Sequence, residues 1–199
     1  MGKWIPRLYD TLMGPLERRF IREIRKQLLK KANGHVLEIG SGTGFNFPFY
    51  QDAEHVVAIE PNPAMAQKSR ERIQMAPCSL EVIEAGAEQL PFPDNTFDTI
   101  VGTLVFCSIP DPLSALREIR RVSKPDARIL LFEHVRMQQP FLARVQDWLT
   151  PAWKRVCDGC HLNRDTLELV RQEGFTVIRV HGFYRDLFLV IEVVANKEQ

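Results

Sequence analysis

The sequence predicts an α/β protein built on a doubly wound, seven-stranded and mostly parallel sheet, and three observations lead to this prediction. Short apolar stretches alternate with segments of helical periodicity from residue 36 onward, a pattern typical of a parallel sheet with helices on both faces. A glycine-rich turn follows the first apolar stretch. The connection between the last two apolar stretches, about residues 182–186, is too short for a crossover, so these two strands should be antiparallel.

The predicted elements follow in order from these patterns. Strands are expected at residues 36–39, 56–59, 80–83, 97–104, 128–132, 176–180 and 188–194. Helices are expected at residues 64–75, 112–122, 142–156 and 165–173, because their apolar residues recur with helical periodicity. Pro61-Asn62-Pro63 opens the first of these helices and Gly174 ends the last, as Pro and Gly commonly do.

An N-terminal helix is predicted before the first strand, because an apolar residue recurs at every fourth position from Leu8 to Leu28. Gly14-Pro15 should divide this helix, and Asn33-Gly34 should end it. Its polar positions are mostly Arg and Lys. Such a basic amphipathic helix has two interpretations. It can lie on an anionic membrane, or its apolar stripe can pack on the protein while its charges face water. We favour the second interpretation. The predicted domains are an N-terminal helical lid, residues 1–33, and one larger domain, residues 34–199.

The composition is that of an ordinary globular protein. Of the 199 residues, 45 % are hydrophobic and 26 % are charged, and the net charge of +1 provides no general attraction to nucleic acid. No apolar run approaches the ~18 residues that a membrane-spanning helix needs, and we find no charged-then-apolar leader. With four cysteines and no signal for export, we expect a reduced, cytoplasmic protein with free thiols.

The glycine-rich turn carries the first functional signal, a G-x-G-x-G spacing. The residues expected to bind a ligand here are Glu38, Gly40, Ser41, Gly42 and Gly44. Glycines permit a sharp turn and the close approach of a ligand, which in open α/β sheets binds at the carboxyl ends of the strands. A dinucleotide fingerprint would need Gly at position 45, which is Phe45, and no Lys-Ser/Thr pair of a phosphate loop follows. A pyrophosphate ligand is therefore disfavoured, whereas a cofactor with an amino-acid-like arm fits.

Further segments are expected to complete a nucleoside site at the same edge of the sheet. Glu60 closes the second predicted strand, where a carboxylate can accept hydrogen bonds from both hydroxyls of a ribose. Ala87 and Glu88 follow the third strand, where backbone and carboxylate groups are placed to bind an adenine edge. The remaining residues expected to bind the cofactor are Pro61, Thr103 and Leu104.

Together, these motifs resemble the class I S-adenosylmethionine-dependent methyltransferases. The resemblance comprises E-x-G-x-G-x-G, the acid of the second strand, A-E-x-L-P-F and F-D, and it covers about residues 36–135. Four further segments look like the branch of this family that holds the methyltransferase-like thiol methyltransferases. They are residues 104–112, 121–125, 132–135 and 158–164. They are also similar to bacterial phosphatidylethanolamine N-methyltransferases and, more distantly, to ubiquinone/menaquinone C-methyltransferases. Asp126-Ala127 stands where the family usually has Gly-Gly, a local change of turn.

The resemblance implies a Rossmann-like methyltransferase fold that binds S-adenosyl-L-methionine and releases S-adenosyl-L-homocysteine. The acceptor is expected at the end of the fifth strand, where Glu133 or His134 could remove its proton; a purely structural histidine is the other interpretation. Asp158 or Cys160 is expected near the methyl group, unless that segment is only a loop with a buried thiol. Tyr9 belongs to the segment expected to fold over the cofactor, unless it is an ordinary aromatic residue on the helix surface. The candidate catalytic residues are thus His134, Glu133, Asp158 and Tyr9.

Residues 157–161 also have the C-x-x-C-H spacing of a haem attachment motif. Haem attachment would require export, for which the sequence has no signal. A zinc ion would require a second pair of ligands, which the sequence does not place beside Cys157 and Cys160. The sequence therefore predicts no metal.

Three functions remain open. The first is methyl transfer to a small molecule, with thiols favoured because a thiol is partly ionised near neutral pH. The second is N-methylation of a phospholipid headgroup, with the basic N-terminal helix in peripheral contact with the membrane. The third is a non-catalytic module that binds S-adenosylmethionine. The expected partner is therefore a small-molecule or lipid acceptor and not a nucleic acid.

Overall fold

The computed structural model describes residue 14, residues 20–157 and residues 159–195. Its strands are β1 (Asn33–Ile39), β2 (Asp52–Ile59), β3 (Ser79–Ile83), β4 (Phe97–Thr103), β5 (Ser123–His134), β6 (Thr176–Phe183) and β7 (Phe188–Val194). They form one seven-stranded sheet with the order β3-β2-β1-β4-β5-β7-β6. Strand β7 is antiparallel to both of its neighbours, and the other pairings are parallel. The predicted fold class, with one strand reversed near the C-terminal end, is confirmed.

The helices that the structure describes are α1 (Arg22–Leu29), α2 (Pro63–Glu71), α3 (Pro112–Val122), α4 (Pro140–Val156) and α5 (Thr166–Gln172). Helix α3 coincides with the prediction, because Asp111 caps it by accepting a hydrogen bond from the Ser114 N–H and Pro112 occupies its first turn. Helix α2 is shorter than predicted: it ends at Glu71, and a 3-10 turn, Ile73–Met75, follows it.

The core forms two layers because successive side chains of a strand point to opposite faces of the sheet. Leu37 and Ile39 of β1 pack in the layer that contains α3, whereas Val36 packs in the layer that contains Leu28 and Leu29 of α1. The last four residues of β1 are all buried, as is usual for a central parallel strand. The continuous apolar run in the sequence therefore marks the centre of the sheet.

Strand β5 and the C-terminal hairpin are more extended than predicted. Strand β5 begins at Ser123, so Asp126 lies inside it with a φ of +62°, beside an irregular register between β4 and β5. Gly182 belongs to β6, and the connection to β7 is a turn in which Tyr184, Arg185 and Asp186 all have positive φ. Lys124, Pro125 and Asp126 interrupt the apolar pattern, so the sequence does not reveal this end of β5.

Helix α1 is the described part of the predicted N-terminal helix. The prediction that Asn33-Gly34 ends this helix was wrong, because the helix ends at Leu29 and both residues lie in β1. Gly34 has a φ of +65°, and a Cβ there would stand 2.7 Å from Oδ2 of Asp98. Ile24 and Leu28 are buried while Lys26 is exposed, so the apolar stripe of α1 packs on the protein, as favoured above. Arg25 departs from that interpretation, because its charged side chain is buried and does not face water.

The earlier part of the predicted N-terminal helix, including Tyr9, lies outside the described residues. The lid and its boundary at residue 33 therefore stay predictions. Across residues 20–157 and 159–195, no helix is both long enough and apolar enough to cross a membrane.

Candidate active site

The glycine-rich turn leaves β1 at the carboxyl edge of the sheet and is fixed there by its neighbours. Gly40, Gly42 and Gly44 have φ values of +63°, +57° and +82°, which explains why glycine occupies all three positions. A Cβ on Gly40 would stand 2.2 Å from Cγ2 of Val105 in the segment that follows β4. The Ser41 N–H donates to the Ile59 carbonyl over 3.0 Å and ties the turn to the end of β2.

Glu38 lies at the centre of a buried hydrogen-bond network below this turn. Its Oε1 accepts a hydrogen bond from Asn46 Nδ2 at 2.9 Å, and its Oε2 accepts one from the Tyr50 hydroxyl at 2.7 Å. The Arg25 guanidinium donates to Asn46 Oδ1 at 2.7 Å and also to the hydroxyl of Thr103. Burial raises the pKa of Glu38 to about 7, although Tyr50, Asn46 and the charge of Arg25 each lower it. The network joins α1, the glycine turn and the end of β4.

Glu60 closes β2 directly beside the glycine turn. Its Oε2 accepts a hydrogen bond from the Gly42 N–H at 3.0 Å, and its Oε1 accepts one from the Asn62 N–H at 2.9 Å. The adjacent Pro61 is exposed. This is the position that a ribose-binding carboxylate requires at the carboxyl edge of such a sheet.

Ala87 and Glu88 lie in the segment that leaves β3 next to Glu60. The Glu60 N–H donates to the Ile83 carbonyl at 3.0 Å, which brings the start of this segment to the glycine turn. Ala87 is buried and Glu88 is half-buried. Arg121 of α3 holds the end of the segment by donating to the Leu90 carbonyl at 3.0 Å. The predicted adenine-binding segment is therefore positioned by α3.

The ends of β4 and β5 form the other side of this edge. Leu104 has a φ of +55°, a conformation that costs a non-glycine residue about 1–3 kcal/mol and that clusters at functional sites. Glu133 is 0 % exposed, and its Oε1 accepts hydrogen bonds from the N–H groups of Val105 at 3.1 Å and Phe106 at 3.2 Å. Burial raises the pKa of Glu133 to about 7. Its other oxygen, Oε2, is buried and has no hydrogen-bond partner among the described residues.

Cys107, His134 and Cys160 meet beside Glu133, and we call them the thiol–imidazole cluster. Their sulfur and nitrogen atoms all lie within 4.8 Å of one another, and His134 Nε2 is 3.3 Å from Cys160 Sγ. The hydrogen bond from the Cys107 thiol, together with the hydrogen bond and the charge of His134, lowers the pKa of Cys160 to about 4 despite its burial. Burial lowers the pKa of His134, but the contact with Cys160 outweighs it and the net shift is upward. The cluster therefore stabilises a thiolate.

The segment that carries Cys160 is held against the end of β4. The His161 N–H donates to the Cys107 carbonyl at 2.8 Å. The Arg164 guanidinium donates to the carbonyls of Ile109, at 2.6 Å, and Phe106. These contacts fix the position of the cysteine relative to β4 and β5.

The predicted residues thus assemble along one edge, with two exceptions. Tyr9 and Asp158 lie outside the described residues, and their roles stay predictions. Sequence reasoning missed Arg25, Asn46 and Tyr50, which hold Glu38, because they lie in different elements and share no motif. It also missed Cys107, whose only signal was its place just after the fourth strand.

A seven-stranded sheet with this glycine turn after β1 and an acid at the end of β2 is the arrangement of a class I methyltransferase. A family model described as a methyltransferase domain matches residues 37–131. The thiol S-methyltransferase TMT1B of Rattus norvegicus is 34 % identical over 167 residues, which cover 80 % of this chain and 68 % of that protein. The chain belongs to the S-adenosylmethionine-dependent methyltransferases.

Two further comparisons extend this result. The phosphatidylethanolamine N-methyltransferase of Cereibacter sphaeroides is 31 % identical over 116 residues, covering 57 % of this chain and 57 % of that protein. A crystal structure of an S-adenosylmethionine-dependent methyltransferase from Aquifex aeolicus superposes with a TM-score of 0.69 at 20 % identity, covering 96 % of this chain and 98 % of that chain. The second likeness shows the fold, which agrees with the Rossmann-like prediction.

Proposed function

We propose that the protein methylates the sulfur of a small-molecule thiol. The observation that carries this proposal is the thiol–imidazole cluster, in which His134 Nε2 lies 3.3 Å from the sulfur of Cys160. An acceptor thiol that reaches His134 would meet the same imidazole, which favours the nucleophilic thiolate. The similarity to thiol S-methyltransferase TMT1B supports the same choice of acceptor.

The residues of the glycine edge fit S-adenosyl-L-methionine, which supplies an activated methyl group on a sulfonium. Ser41 Oγ is buried without a hydrogen-bond partner in the described part of the chain, and it is available to a polar ligand group. Among the described residues, a Cβ on Gly42 would have only Met65 Cε nearby, at 3.9 Å, which leaves room for a ligand against its backbone. We assign the amino-acid arm to Glu38 and the glycine turn, the ribose to Glu60, and the adenine to Ala87 and Glu88.

The protein contributes mainly alignment to this reaction. Holding two reactants in line can supply about 7–11 kcal/mol of the barrier, and the cofactor needs no further activation. Leu104 and Val105 connect the glycine turn to the acceptor side, since Val105 packs directly on Gly40. The acceptor sulfur and the methyl group are thereby brought to one edge of the sheet.

The test is turnover of labelled cofactor with thiols, amines, phenols and phospholipids assayed in parallel. We expect methylation of the thiols, and we expect Glu60→Ala to abolish it through loss of cofactor binding. Glu54→Ala is the matched control, because Glu54 is an exposed acid on the same strand. Turnover confined to amines or phospholipids would refute the thiol assignment, and full activity of Glu60→Ala would refute the placement of the cofactor.

A second candidate is N-methylation of a phospholipid headgroup at a membrane surface. Helix α4, which precedes the Cys160 segment, exposes Phe141 at 75 %, Trp148 at 79 % and Val156 at 68 %. Their spacing places them on one face of the helix, and such a face with Trp and Phe is typical of interfacial helices. Flotation with anionic vesicles tests this candidate, and protein that stays with the buffer fraction would eliminate it.

A further inference from the structure

We propose that the thiol–imidazole cluster binds a thiophilic divalent metal ion, with zinc as the expected occupant. Zinc lies about 2.3 Å from thiolate sulfur and about 2.0 Å from imidazole nitrogen, so ligand atoms on one tetrahedral ion stand roughly 3.5–3.8 Å apart. The three ligand atoms here are all within 4.8 Å of one another, and the distance from His134 Nε2 to Cys160 Sγ is 3.3 Å. Small side-chain adjustments therefore suffice to bring all three onto one ion.

The ligand set selects the class of metal. Two thiolates and one imidazole are soft to borderline ligands that favour zinc over magnesium or calcium. Three protein ligands with an open fourth position are typical of catalytic zinc sites, whereas structural zinc sites are closed by four. The structure brings in Cys107 and His134 from the ends of β4 and β5, ligands that the spacing around Cys160 does not reveal.

The charges around the cluster suit a divalent cation. A bound ion would displace the proton of the Cys107 thiol, because metal binding to cysteine releases the thiol proton, and two thiolates would then face one divalent cation. Glu133 Oε2 is buried without a partner within residues 20–157 and 159–195, and a nearby cation would offset the cost of burying its charge.

The position of the cluster suggests what the open fourth site does, and this step rests on the proposed methylation of thiols. Cys107 follows Leu104 at the end of β4, on the edge that holds the cofactor turn. An acceptor thiol would release its proton to water and bind the ion through sulfur. A lone pair of that sulfur would then form the new bond to the methyl carbon, while the bond from that carbon to the cofactor sulfur breaks and leaves its pair on S-adenosylhomocysteine. The neutral thioether is a weaker ligand and would dissociate.

Cys157 provides a matched control. The C-x-x-C spacing in the sequence would pair Cys157 with Cys160, whereas the structure groups Cys160 with Cys107 and His134. The two arrangements therefore predict opposite outcomes for Cys107→Ser and Cys157→Ser.

The experiment is titration of the reduced, chelator-treated full chain with Co²⁺ under anaerobic conditions, without cofactor or acceptor. We expect one Co²⁺ per chain, a charge-transfer band with the intensity of two thiolates, and displacement by Zn²⁺. Cys107→Ser and Cys160→Ser should each halve the band, and His134→Asn should weaken binding while both thiolates remain. Cys157→Ser and Cys78→Ser should leave the titration unchanged. Absence of a two-thiolate band, or a band lost in Cys157→Ser and kept in Cys107→Ser, would overturn the proposal.

A second measurement keeps the test valid if a variant fails to fold. In the unchanged chain, Zn²⁺ should slow alkylation of Cys160 and leave that of Cys78 and Cys157 unaffected, as measured by mass spectrometry. Equal alkylation of Cys160 with and without Zn²⁺ would contradict the site. Neither measurement depends on catalysis: a chain that methylates thiols but binds no Co²⁺ would refute the metal site and leave the proposed function standing.

Discussion

The titration of Glu38 should make the stability of the cofactor-free protein fall with rising pH. Burial raises the pKa of this carboxyl from its ordinary value of 4.5 to about 7 in the folded chain. The folded state therefore keeps a proton that the unfolded state releases, and stability declines as pH rises from the unfolded to the folded pKa. At about 1.4 kcal/mol per pKa unit, the difference corresponds to about 3 kcal/mol.

Glu38→Gln tests this value, because glutamine is similar in shape and does not ionise. Urea unfolding between about pH 4.5 and about pH 8 should show that the wild type loses about 3 kcal/mol more than the variant. Other titrating groups contribute to both proteins and cancel in the difference. Glu54→Gln, on the exposed face of β2, should follow the wild-type curve. Parallel curves for the wild type and Glu38→Gln would refute the assignment of this pKa.

Three further predictions concern the backbone and the buried guanidinium. Gly40→Ala places a Cβ 2.2 Å from Cγ2 of Val105 at a φ of +63°, so the free energy of unfolding should fall by about 2 kcal/mol or more. Calorimetry should also show weaker binding of the cofactor. An unchanged affinity would contradict the assignment of the turn to the cofactor. Arg25→Met removes the donor to Asn46 and should cost about 3 kcal/mol in urea unfolding, whereas Lys26→Met, at an exposed site, should cost below about 0.5 kcal/mol. Equal losses would refute the role of the network. Asp126→Gly should raise the free energy of unfolding by about 1 kcal/mol, because the exposed Asp126 has a φ of +62° that glycine adopts more readily. A lower thermal midpoint of the variant would contradict this prediction.

Those parts of the fold that depend on local chemistry could be predicted from the sequence. The helix at residues 112–122 was predicted with its observed bounds, and its start is determined locally because Asp111 and Pro112 act within one turn. The reversed strand near the C-terminal end followed from the short connection between the last two strands. The first part of β5 was missed because Lys124, Pro125 and Asp126 have no apolar pattern, and within this stretch the register with β4 pairs Ser123 alone, with Phe97.

The candidate site likewise contains residues that could be predicted from the sequence and residues that could not. Residues on the glycine turn and at strand ends have motifs, so Glu38, Glu60 and Glu133 could be selected from the sequence. The thiol–imidazole cluster could not, because its members come from three elements with no fixed spacing between them. Arg25 was grouped with the basic residues of the N-terminal helix, although its side chain is buried among polar groups of the site.

The contact of Arg25 with Asn46 and Thr103 has a thermodynamic consequence for the N-terminal helix. Through Asn46 this contact links the docking of α1 to Glu38, the carboxyl assigned to the amino-acid arm of the cofactor. Any ligand that orders Glu38 and Asn46 must favour the docked helix, and the docked helix must favour that ligand by the same free energy. The docking of helix α1 therefore contributes to the affinity for the cofactor. Protection of the amides of α1 from hydrogen exchange should rise when S-adenosyl-L-methionine binds.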